Sequence, residues 1–224
     1  VLRRFLVRTC VFDTLTASRC DRLLGTTDSQ THLETLERLQ AFTDSHDSGR
    51  TFHYHEVLRA HLCVTLLEEL GDAGARSWHC RAASILIQDG AAIEAARAYA
   101  RAENWPAVRR LLDEIGASVA AQGLEPWRDL LPPWLIAEDP WLVLAEGRHF
   151  LTHGQLEAAI IGFQRAESMF TSAPGRALCR SARLAASIWL PGGLNTRTHW
   201  SGWLRAATRR HPGMVAAETE ALRD

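Results

Sequence analysis

The residues of this chain whose types could do chemistry are its histidines, cysteines and paired acids. His53, His55, His61, Cys63, His79 and Cys80 follow one another closely enough to suggest zinc, which takes imidazole nitrogen and thiolate sulfur in a tetrahedral set at short, fixed spacings. His53 and His55 share a strand face, but no pair has the spacing of a whole ligand set, and both residue types are ordinary in partly buried positions. No metal site is expected. The five cysteines, at 10, 20, 63, 80 and 179, form neither a CxxC nor a disulfide framework. Their odd count and long separations suit reduced, mostly buried thiols in a cytoplasm. There is no GxSxG, no HExxH and no Cys/His pair at a protease-like spacing, and Glu68-Glu69 reads as a solvated helix face. No catalytic residue is expected, and the chain is not expected to be an enzyme.

Length and charge narrow the field further. The 224 residues suffice for one large domain or two small ones, 46% of them are apolar, and the formal net charge is −1. That balance gives no global attraction to nucleic acid or anionic membranes. No run of eighteen apolar residues occurs, so no membrane span is expected. All 25 basic residues are arginine, which reads as a GC-rich coding sequence rather than a phosphate-binding device. The chain starts Val-Leu-Arg-Arg, without Met and already inside an apolar pattern. No signal peptide is visible, and the sequence is expected to be a piece of a longer polypeptide.

The elements that must position these residues can be read from apolar spacing. Residues 1–25 predict a helix ending near Arg8, a turn around Asp13, and a helix from Thr16 or Ser18 to Leu24 stopped by Gly25. Asp28 or Ser29 caps a third helix through Leu33, Leu36 and Leu39. The period then changes: 41–44 and Thr51–Tyr54, flanking a polar tip at 45–49, predict a β-hairpin. His55–Leu70 returns to helix, and the segment 71–74 is the expected boundary. The reading is mainly α: a winged-helix-like domain over 1–72, then a helical repeat domain over 73–224. The recognition helix of that winged helix holds Asp28, Glu34 and Glu37 against only Arg38, so direct binding of nucleic acid is not expected.

Beyond residue 75 the pattern is helical and alanine-rich. The clearest stretch is Trp141–Pro174, two helices around His153-Gly154, with Gly147, Ala159 and Ala166 allowing close approach and Phe150, Leu156 and Phe163 filling the space. Gly90 is flanked by a similar pair, with Ala83, Leu86, Ala95, Tyr99 and Ala102 at matching positions. Gly123 opens a unit broken by Pro126, Pro132 and Pro133, where only a short helix around Trp127–Leu131 fits. Pro191-Gly192-Gly193 and the polar 195–199 stretch make the last unit irregular. These residues are similar to a tetratricopeptide repeat, and glycine and proline periods of 31 to 38 residues predict an α-solenoid of stacked pairs. The eight tryptophans, at 78, 105, 127, 134, 141, 189, 200 and 203, read mainly as core fillers. On the repeat's register Trp141, Leu144, Arg148 and Thr152 face the groove where such solenoids bind partners.

The first seventy residues carry a second resemblance. FLVRT (5–9), CDRLLG (20–25), the leucine-rich helix and FHYHEVLRAHL (52–62) look like the winged-helix segment of the maltose-regulator type of signal-transduction ATPases. In bacteria these are large transcription regulators, often with a LuxR-type output domain. The resemblance implies a nucleotide-binding domain before Val1, an output domain after Asp224, and ADP or ATP as the cofactor of the parent protein but not of this segment. It also implies that His55, in Tyr54-His55-Glu56, touches the nucleotide's phosphate in the resting state, although relatives tend to have His or Asp where Glu56 stands. The expected function is a regulatory and sensing segment of a cytoplasmic, ATP-dependent transcription regulator. Its partners would be the nucleotide-binding domain in cis, a small-molecule or protein effector, and a second copy through self-association. The alternative is a free-standing tetratricopeptide-like interaction scaffold.

Overall fold

In the computed structural model, which describes residues 1–39, 43–46 and 50–189, the chain opens with α1 (Leu2–Thr9), whose Phe5, Val7 and Thr9 point into the core. A turn buries Phe12 and Leu15 and leads to α2 (Ala17–Leu24). Thr16 caps α2, its Oγ1 accepting the Arg19 N–H at 3.2 Å, and Gly25 ends it in the left-handed region at φ 73°. In α3 (Ser29–Arg38) the expected cap is only half right. Asp28 holds the cap position, but the Ser29 N–H donates to Asp21 of α2 at 3.1 Å, while the Asp28 carboxylate lies 3.3 Å from His32.

Strands β1 (Thr43–His46) and β2 (Thr51–Tyr54) pair antiparallel, with Thr43 opposite Tyr54 and His46 opposite Thr51. The first strand takes in Ser45 and His46, beyond the expected end at 44, while residues 41 and 42 of the expected strand lie outside the described residues. The register follows burial: Phe52 and Tyr54 point inward, and Leu15 bridges Phe52 through two 2.9 Å backbone hydrogen bonds. Helix α4 (Glu56–Gln88) is two helical stretches that meet at a kink at Gly71 (φ 67°, ψ 173°), the first residue of the expected 71–74 boundary segment. Only glycine adopts that conformation readily.

Helix pairing follows. α5 (Ala92–Arg101) packs on α4 and on α6 (Trp105–Gln122), and its Ala95, Ala96, Ala98 and Ala100 are buried. Small side chains let these axes approach closely. Asn104 caps α6, its Oδ1 accepting the Ala107 N–H at 3.3 Å. The region after Gly123 departs from expectation. Instead of a helix at 127–131 there is a 3₁₀ turn (Glu125–Trp127), and the helix forms later as α7 (Pro133–Glu138). Proline tolerates the first turn of a helix but not its interior, so Pro132-Pro133 starts the element rather than ending one.

The chain divides into two compact units, Val1–Leu142 and Val143–Asp224. α8 (Pro140–Thr152) begins in the first, where Asp139 Oδ1 caps it by accepting the Trp141 and Leu142 N–H groups at 2.9 and 3.2 Å. In the second unit the end of α8 turns at Gly154 (φ 72°) into α9 (Leu156–Met169). A Cβ on Gly147 would lie 2.7 Å from two ring carbons of Phe163, so the close approach needs glycine. Phe163, Ala159 and Ala166 are fully buried; Phe150 and Leu156 are half-buried. α10 (Ala173–Ser187) packs on α9, with Pro174 in its first turn and Arg180 and Arg183 paired with Glu167. Among the described residues the architecture is mainly α, ten helices and one two-stranded sheet. Pro191-Gly192-Gly193, the 195–199 stretch, Trp200 and Trp203 lie outside those residues, as does the tip at 47–49.

Candidate functional site

The wing delivers two side chains inward and one to the surface. Tyr54 is buried, and its hydroxyl donates to Thr9 Oγ1 at 2.7 Å, while that hydroxyl donates to Phe5 O at 2.8 Å. His53 is half-buried, its Nδ1 3.1 Å from Asp13 O. His55 then leaves the strand with φ −53° and ψ 139° and becomes the N-cap of α4. Its Nδ1 accepts the Val57 N–H at 3.3 Å, which places the proton of the neutral ring on Nε2. The residue is exposed, at the positive end of a helix.

One turn further on, the first unit gathers a cationic cluster that the sequence did not announce. Arg59 of α4 donates to Asp13 Oδ1, and Arg101 of α5 pairs with the same oxygen at 3.0 Å. Arg97, one turn before Arg101, lies over the buried ring of Trp127 at 5.4 Å. Asp13, Tyr54, Glu56 and the three arginines line a cavity of about 390 Å³, closed on one side by Pro126 and Leu130. The only hint in the sequence is Arg97 and Arg101 at i, i+4 on an alanine-rich helix, a like-charge spacing that costs stability unless something compensates it. Arg59 and Asp13 are far from them along the chain.

The same charges act on buried neighbours. The thiols of Cys10 and Cys63 lie 3.8 Å apart. Cys63 is drawn down to about 7, first by its hydrogen bond with Cys10 and then by Arg59 and Arg101, against a burial that works the other way. Cys10 is pushed well above the thiol range by the same bond and by burial. His79 is pushed down to about 4, first by burial and then by Arg101 and Arg59, with Asp13 opposing.

The zinc-like set does not converge: among the described residues no group of three or more His, Cys, Asp or Glu is placed to hold a metal ion. The groove residues also differ from one another. Trp141 is half-buried, its ring lying where a Cβ on Gly116 would be, and Arg148 is half-buried. Leu144 is 1% exposed and cannot line an open groove, because α8 turns that position into the core. Thr152 is exposed, its hydroxyl donating to His149 O. Of the tryptophans, Trp127 is a core filler, but Trp134 and Trp189 are 45% and 75% exposed.

The wing, the three preceding helices and the exposed cap are the parts of a winged helix. Residues 1–73 match the MalT winged helix domain. The chain is thereby associated with the maltose-regulator class that its motifs resemble. No curated protein matches the chain. Among the described residues, no helix is long and apolar enough to cross a membrane.

Proposed function

We propose that the chain is the regulatory segment of a multidomain, ATP-dependent transcription regulator. Its winged helix relays the state of a nucleotide held by a domain upstream, and its helix pairs bind an effector or protein partner. What supports the reading is His55: a residue in a MalT-type winged helix, at the wing's end, exposed and capping α4. An imidazole beside a helix N-terminus can present an N–H toward an anion, where backbone N–H groups already favour negative charge. The segment has no catalytic role; ADP and ATP belong to the parent protein.

The test is ADP affinity of the parent protein carrying His55→Asn or His55→Ala. Asparagine keeps the cap and removes the imidazole, whereas alanine also removes the cap and costs about 1 kcal/mol of helix stability. Both are expected to weaken ADP binding about tenfold, the worth of one hydrogen bond to a charged group. Wild-type affinity in the Asn variant refutes the relay role.

A further inference from the structure

Arg97 is a cation in need of a counter-charge. Among the described residues it makes no ion pair, and its Nε is buried without a hydrogen-bond partner. The Trp127 Nε1 beneath it is also buried and unpartnered. Arg97 as a whole is half-buried, and its stacking on Trp127 does not supply the anionic acceptor that a guanidinium's N–H groups take. On the same cavity Arg59 spends one of its five N–H groups on Asp13 and Arg101 forms an ion pair with that carboxylate, which leaves donors on both.

We propose that this cavity binds a small phosphate-bearing molecule, its phosphate held by Arg97 together with Arg59 and Arg101. Three arginines against Asp13 and Glu56 leave one positive charge on the lining. A carboxylate is already present in Asp13 and does not reach Arg97. A phosphate brings more charge and three acceptor oxygens, enough to engage guanidiniums on two helices at once. At ~30 Å³ per water the 390 Å³ cavity has the volume of about a dozen waters, more than a bare phosphate fills. Tyr54, Pro126 and Leu130 supply the wall against which an organic remainder packs. His55 is not part of the lining, so the site stands whether or not the nucleotide relay does.

The experiment is calorimetric titration of the 224-residue chain with pyrophosphate, ADP, glycerol 3-phosphate and, as a carboxylate control, citrate. Pyrophosphate is expected to bind, and Arg97→Gln to weaken it about tenfold to a hundredfold, the loss of a bidentate charged contact. Arg97→Lys, which keeps the charge and should fold even where glutamine does not, is expected to recover part of the affinity. ADP binding more tightly than pyrophosphate identifies a nucleotide as the source of the phosphate; glycerol 3-phosphate doing so identifies another phosphorylated metabolite. Arg3→Gln, an exposed arginine that does not line the cavity, is expected to leave pyrophosphate binding unchanged. The proposal is overturned if no phosphate compound binds below about 1 mM, if citrate binds as tightly as pyrophosphate, or if both Arg97 variants bind like the wild type.

Discussion

Replacing Gly147 by alanine should reverse the sign of its effect depending on what stands at position 163. Alanine in a helix interior is favoured over glycine by about 1 kcal/mol. Against this, the new Cβ would lie 2.7 Å from Phe163 Cδ1 and Cε1 and 3.4 Å from the Ala159 carbonyl. Phe163 is fully buried and has no open space to retreat into, so overpacking costs about 1–3 kcal/mol and outweighs the helical gain. Gly147→Ala alone is expected to destabilise the chain by about 1–2 kcal/mol. Phe163→Ala alone should cost about 3–5 kcal/mol, and within that background Gly147→Ala should stabilise by about 1 kcal/mol. Urea denaturation followed by far-UV circular dichroism, with hydrogen exchange of the α8 and α9 amides as the local readout, gives the four corners of the cycle. The expected coupling is about 2–3 kcal/mol; additivity within about 0.5 kcal/mol refutes the close approach of α8 and α9.

Two further perturbations probe the first unit. His79 titrates near 4 folded and near 6.5 unfolded, so the unfolded chain takes up its proton first. Its contribution to stability is intact above pH 6.5 and is lost as the pH falls toward 4, by about 3 kcal/mol in all. His79→Leu should leave stability at pH 7 unchanged or raised and flatten the urea midpoint against pH in that window; an unchanged slope contradicts the assignment. Tyr54→Phe removes the hydroxyl that donates to Thr9 while leaving Thr9 bonded to Phe5 O. It should lower the unfolding free energy by about 1 kcal/mol without altering the denaturant slope.

Local chemistry was legible in the sequence wherever one residue decides the backbone. Gly25, Gly90 and Gly154 take positive φ where a helix must stop, and Thr16 caps because its side chain reaches its own helix. His55 could be placed because the strand-to-helix change falls on it. What depends on partners distant in sequence could not be read. Asp21 takes over the capping of α3 from another helix, Leu15 sets the hairpin register from outside the hairpin, and Leu144 is drawn inward by packing that no periodicity reports. The arginine-lined cavity belongs to the same kind. Asp13, Arg59, Arg97 and Arg101 meet only because α5 folds back on α4, so an arginine-only composition looked like codon bias.

The break at Gly71 turns the second half of α4 into a lever. From Gly71 to Asp89 the helix runs about 27 Å at 1.5 Å per residue, so a 10° change at that one residue swings the far end by about 5 Å. That far end is clasped: Arg19 and Arg22 of α2 hold Asp89 at 3.0 and 2.5 Å, and Arg19 also reaches Glu94 at 3.1 Å. The fulcrum and the clasp therefore sit at opposite ends of one rod, the clasp held by α2. Displacement grows with distance from Gly71, so a rotation there would load the Asp89 clasp more than the Trp78–Arg8 hydrogen bond nearer the fulcrum.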